Sequence, residues 1–305
     1  MKQERFPSRF ARLTASEFDM QQKRAREQIY SKLEEHRSED VILSAEDFGN
    51  LSEDELDSFV KSIQHHEIHT YCYIRDPIGY APSAFQQRVK AGVLRDWNIG
   101  ALVPQYSKLR KFLTLKHCEL LRYDKSSLKN GCVVQDFCGR IGVDIHPNEI
   151  KYENESISFL AISLLYCRNK ARAHEGFRTN NPLLPTLKTL KGPKVSFSPR
   201  LIKEMLQRRQ NEISQMQNFL GRPWQPERTL KRPNVRGESD LLEPPADARN
   251  WLACRVASYD GSPDYRAVGK AMDELENIVI ERSKSRKSGI LTKDHSHRGN
   301  SNSGP

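Results

Sequence analysis

A guanidinium and a hydroxyl stand eight positions apart between Ile68 and Gly92: Arg75 and Ser83. Arg75 closes a β-rich run, Ile68 to Ile74, that reads as a buried strand. Asp76-Pro77 stops the strand, because Pro77 has no N–H for a ladder. Ser83 falls in the first turn of a helix predicted over roughly Ala81 to Leu94. In parallel α/β sheets, ligands bind beyond the carboxyl ends of the strands. An arginine fork there grips phosphate oxygens, and a hydroxyl with free helix N–H groups adds donors. The pair therefore reads as an anion site. Each residue also has a plainer use, a strand-end arginine in an ion pair and a serine early in a helix. Gln87, Arg88 and Lys90 read as the solvated face of the same helix, or as a face that turns one of them toward a ligand, and Trp97 and Tyr106 as core or as rings for an acceptor to stack on.

Other groups could also do chemistry. Glu46 lies just past Val41-Ile42-Leu43, a short run predicted to be a buried strand. A carboxylate at a strand end can act as a general base, although a surface glutamate is its commoner use. His65 and His66 read as an exposed turn. His66 and His69 have His-x-x-His spacing but no clear carboxylate partner, so no metal site is expected. The six cysteines contain no Cys-x-x-Cys pair and several lie in apolar stretches. They read as reduced thiols of a cytoplasmic protein.

The elements that must position these groups follow from periodicity. A polar helix is expected over 20–36. Ser52 and Glu55 form a capping box that opens a helix with Leu56, Phe59, Val60 and Ile63 on its apolar face. Further helices are expected over Val103 to Leu113 and Val133 to Ile141, with a strand over Cys118 to Arg122. A helix starting at Asn154-Glu155-Ser156 is expected to hold Ile157, Leu160, Leu164 and Leu165 inside. Strand–helix alternation indicates βαβ units and a parallel sheet. Beyond residue 155 the pattern is mostly helical. Ser198-Pro199 caps a helix that runs to Leu220, Gly221 ends it, and a proline-rich loop covers 223–245. A last amphipathic helix spans Tyr265 to Ile280.

The strand ending in Arg75-Asp76-Pro77, with Ser83 eight positions on, resembles sulfotransferases that use 3′-phosphoadenosine 5′-phosphosulfate (PAPS). The run Ser83-Ala84-Phe85-Gln86-Gln87 is closest to bacterial carbohydrate-type members. Arg122-Tyr123-Asp124 with Leu128, and Asp136-Phe137-Cys138 with Ile141-Gly142-Val143, are similar to two further segments of that family. The resemblance covers about residues 40–170. It implies a P-loop NTPase-like parallel sheet flanked by helices. It also implies that Arg75 and Ser83 hold the cofactor's 3′-phosphate, with a carbohydrate or glycoconjugate hydroxyl as acceptor and Glu46 as the candidate base. The family's Gly-rich 5′-phosphosulfate loop is missing. Residues 1–40 contain no glycine, and Gly269-Lys270 has Asp264 where a first loop glycine belongs. The fold is thus expected to be incomplete at its N-terminus, in a truncated or degenerate member. A non-catalytic remnant acting in binding or interaction is the alternative. The expected division is a core over 1–170, a helical extension over 171–282 and a disordered basic tail over 283–305.

Composition narrows the partners. Mean hydropathy is −0.72, and the longest apolar runs are too short for a membrane span. No apolar signal region follows Met1. The net charge of +10 is uneven: residues 191–236 hold 11 Lys+Arg against 3 Asp+Glu, and 282–305 hold 6 against 1. Such segments attract polyanions through charge alone. Without a nucleic-acid motif or interleaved aromatics, no specific nucleic-acid partner is expected. The sequence sets no oligomeric state.

Overall fold

The computed structural model describes residues 14–44, 46–94, 97–151, 156–172, 181–221 and 234–294. It is an α/β protein with a two-stranded parallel sheet flanked by helices. The described residues form two compact units. The first takes the chain through Tyr73 together with Gln105–Leu121; the second takes Ile74–Pro104 and most of the chain from Arg122 on. This division does not follow the expected boundary at residue 170.

In the first unit, helix α1 (Ala15–Glu35) is opened by a capping box between Thr14 and Glu17. It buries only Phe18 and Leu33. Helix α2 (Glu53–Ser62) starts at the expected Ser52–Glu55 capping box. Tyr30 Oη lies 2.6 Å from Ser62 Oγ, joining α1 to the end of α2. A 3₁₀ turn at Glu46–Asn50 is held by Lys111, whose Nζ donates to the carbonyls of Gly49 and Leu51. Lys111 belongs to a second 3₁₀ segment, Tyr106–Thr114, which replaces the α-helix expected there. Tyr106 is buried, as expected for core. Val41, Ile42 and Leu43 are exposed coil, not a buried strand. An apolar triplet is too short to specify pairing by alternation, and among the described residues strands β1 (His69–Arg75) and β2 (His117–Tyr123) pair only with each other.

Side-chain contacts fix the strand register. His69 stacks on His117 with ring centroids 4.8 Å apart, and the Arg75 guanidinium lies 5.7 Å from the centre of the Tyr123 ring. Both pairs have the same sequence offset, so the strands run side by side without a bulge.

The second unit is built on helix α5 (Phe159–Ala171), buried at every position from Phe159 to Arg168. Helix α3 (Pro77–Lys90) packs on it through Phe85, whose ring meets Tyr166 and Phe197. Asn169 Nδ2 closes the contact by donating to Val89 O at 2.8 Å. Helix α4 (Val133–Arg140) follows β2, with Asp136 receiving Arg140 Nε at 2.8 Å. Helix α6 (Leu184–Leu187) is a single turn. The helix expected to run from Ser198 to Leu220 is broken into α7 (Pro199–Gln207) and α8 (Gln210–Phe219), and Gly221 follows with φ +74°. Residues 223–233 of the expected proline-rich loop lie outside the described residues; the rest holds a bridge between Phe197 and Val235 and one helical turn at Ser239–Leu242. Helices α9 (Ser239–Leu242) and α10 (Ala246–Ala253) lead into α11 (Tyr265–Asp294). Residues 283–294 of the expected tail continue α11; the rest lies outside the described residues.

Helices α5 and α11 approach closely because position 269 is glycine. A Cβ there would sit 2.6 Å from Ala171 Cβ. A buried ion network locks the contact. Arg168 donates to Asp273 Oδ1 at 2.7 Å and to Glu276, and Arg172 Nε lies 2.7 Å from the same Asp273 oxygen.

Candidate functional site

Arg75 is the last residue of β1, and α3 begins two residues later. Asp76 is the N-cap of α3: its Oδ1 accepts from Gly79 N at 2.7 Å, and Pro77 fills the first helical position. The helix therefore starts four residues earlier than the sequence pattern indicates. Ser83 consequently lies in the second turn, not the first, and the helix-start N–H groups are not at its side. The free donors nearest the strand end are also fewer than expected, since Pro77 has none and Gly79 is engaged by Asp76.

What gathers around Arg75 is a different set. Its guanidinium faces Tyr123, the last residue of β2, which is 39% exposed. The chain beyond β2 is shaped by Asp124, whose carboxylate accepts from Ser126 Oγ at 2.6 Å and from Ser127 N and Oγ, each at 2.9 Å. Burial acts to raise the Asp124 pKa, but these hydrogen bonds outweigh it and hold the carboxyl below its ordinary value. An arginine and an aromatic face thus stand together at the carboxyl ends of two parallel strands.

Gln86, one turn beyond Ser83 on α3, is the residue the sequence reading passes over. It is only 7% exposed, and its buried Oε1 has no hydrogen-bond partner among the described residues. A buried acceptor left unmade costs about 1–3 kcal/mol, so such a group marks strain or a site. No sequence signal distinguishes it from Gln87 beside it, which is exposed. Arg88 and Lys90 are half-buried and not on the solvated face expected; burial, and then Lys188, lowers the Lys90 pKa.

The remaining candidates separate from this group. Glu46 begins the Glu46–Asn50 turn in the first unit, but its side chain lies outside the described residues. His65 and His66 pack ring to ring, with centroids 4.3 Å apart. Glu67 Oε1 lies 3.2 Å from His69 Nε2 and 3.6 Å from His117 Nε2. Among the described residues, no group of His, Cys, Asp or Glu has the arrangement to hold a metal ion. Cys72 and Cys118 meet across the two strands, and burial, with Cys118 adding to it, pushes the Cys72 thiol up to about 12. That makes it a poor nucleophile.

For a 3′-phosphate the end of β1 offers the Arg75 guanidinium. The 5′-phosphosulfate needs a Gly-rich turn between a strand and a helix, and among the described residues no strand precedes β1. No described helix is long and apolar enough to cross a membrane. No protein-family model matches the chain, and no curated protein or solved structure matches it.

Proposed function

We propose that this protein binds an adenosine nucleotide bearing a 3′-phosphate, with Arg75 as the phosphate ligand, as a sulfotransferase-like protein does. The observation that carries this reading is the placement of Arg75 at the carboxyl end of β1, beside Tyr123 at the carboxyl end of the parallel β2. In the complete sulfotransferase reaction, sulfuryl passes from PAPS to an acceptor oxygen and leaves adenosine 3′,5′-bisphosphate. A carbohydrate hydroxyl is the acceptor that the resemblance implies. Transfer needs donors around the sulfuryl oxygens, and no step is assigned to the described residues. A second reading, a non-catalytic binding protein, is favoured by the helical character of the described chain before β1.

Adenosine 3′,5′-bisphosphate tests the binding. At about 100 times its dissociation constant it should stabilise the chain by roughly 2.7 kcal/mol. Arg75→Ala should abolish that gain, and Ser83→Ala should reduce it. An Arg75→Ala protein stabilised as much as the unaltered chain would sink the proposal. Measured sulfuryl transfer to a carbohydrate would decide against the non-catalytic reading.

A further inference from the structure

A second basic site lies between α5 and the start of α11. A cleft of about 460 Å³ is lined by Lys170, Ala171, Arg172, Tyr265, Arg266, Lys270 and Asp273. That volume falls within the range of small-ligand pockets, roughly 300–1,000 Å³. Four of these residues are cations and one is a carboxylate, but the charges are not equivalent. Asp273 is engaged by Arg168 and Arg172. Lys170 lies 3.1 Å from Glu238, and Arg172 reaches Glu276 at 3.8 Å. Arg266 and Lys270 are exposed and have no ion-pair partner among the described residues. They stand one helical turn apart, an arrangement in which like charges repel.

Asp264 Oδ1 accepts from Arg266 N at 3.2 Å, so it serves the first turn of α11. The Arg266 guanidinium lies 5.2 Å from the centre of the Tyr265 ring, next to a flat aromatic face in the same wall. Gly269, between the two cations, is committed to the α5 contact. Its helical backbone cannot form a phosphate loop, and Lys270 acts here as a side chain on a rigid helix.

We propose that this cleft binds the phosphate groups of a nucleotide-sized phosphate ester, through Arg266 and Lys270 with the ring of Tyr265 against a planar group. Guanidinium and ammonium supply the charge, and two helices cross-linked by ions hold the walls at fixed spacing. The site is independent of Arg75.

Titration calorimetry with adenosine 5′-triphosphate and with pyrophosphate, at one ionic strength near 0.15 M, tests it. The full chain should bind both, the nucleotide more tightly if Tyr265 stacks on its base. Arg266→Glu with Lys270→Glu should weaken both at least tenfold, while Lys23→Glu, on α1, should leave pyrophosphate binding unchanged. A charge-reversed protein that binds as tightly as the unaltered chain, or a chain that binds neither probe at millimolar concentration, would overturn the proposal. Should the double variant fail to fold, lysine acylation of the unaltered chain gives the answer. Adenosine triphosphate should slow acylation of Lys270 at least tenfold and leave Lys23 unaffected; equal rates at Lys270 with and without nucleotide would also overturn it.

Discussion

At the scale of single residues, two aspartates set the geometry on which the Arg75 reading rests. Asp76 turns the end of β1 into the start of α3 by accepting from Gly79 N at 2.7 Å. Removing an N-cap acceptor costs about 1 kcal/mol. Asp76→Ala should therefore destabilise the chain by about that amount, and Asp76→Asn by much less, in urea unfolding. Equal losses would assign the effect to charge and not to capping. Asp124 does the corresponding work after β2, and its depressed pKa gives a pH dependence of defined sign. A carboxyl whose folded pKa lies below its unfolded value stabilises the fold above the unfolded pKa, near 4 for aspartate, and loses that contribution as pH falls through the folded value. The thermal midpoint of Asp124→Asn should lie below that of the unaltered chain at pH 7, and the gap should close below about pH 4. A gap that persists at pH 2 would mean that the carboxylate's charge is not what orders the turn.

Among the elements, the close contact of α5 and α11 inverts an ordinary expectation. Alanine in place of a mid-helix glycine usually gains about 1 kcal/mol of helix stability. At position 269 the new methyl would meet Ala171 Cβ at 2.6 Å, inside any tolerable contact. Overpacking costs about 1–3 kcal/mol, so Gly269→Ala should lower stability, and adding Ala171→Gly should recover part of the loss. A stabilised Gly269→Ala protein would show that the helices can move apart freely. These elements also mark how far the sequence is legible. The Ser52–Glu55 capping box and the β-rich run closed by Arg75 are local signals, and both elements form where they indicate, whereas the helix expected from residue 154 begins at Phe159, with Ser158 as its N-cap and Ile157 ahead of it. The start of α3 is misread because Asp76-Pro77 serves equally as a strand stop and as an N-cap with a proline at N1. The break between α7 and α8 carries no glycine or proline, so nothing in its composition announces it. The site is legible in Arg75 alone. Tyr123 joins it through strand register, which depends on a distant part of the chain.

For the whole molecule, burial sets an expected gradient of local stability. Helix α5 is buried on all sides from Phe159 to Arg168, and its last turns are tied to α11 by Arg168 and Arg172. Exposing one of its amides requires breaking most of the packing of the second unit. Helix α1 is longer, at 21 residues, but buries only Phe18 and Leu33. Its ion pairs, Lys23–Glu27 at 3.9 Å and Lys32–Glu35 at 2.5 Å, are solvent-exposed and screened, so they add little. A helix with so little apolar contact opens locally at low cost, whereas a fully buried one opens only with its surroundings. Hydrogen exchange should therefore find the amides of α1 exchanging orders of magnitude faster than those of α5. Arg168→Leu should accelerate α5 and α11 together, because breaking a buried ion pair costs about 3–5 kcal/mol and uncouples the helices. The same substitution should leave α1 unchanged, since its two buried anchors lie in the other unit. Protection of α1 equal to that of α5, or loss of both in the Arg168→Leu protein, would mean instead that the chain unfolds as one cooperative body.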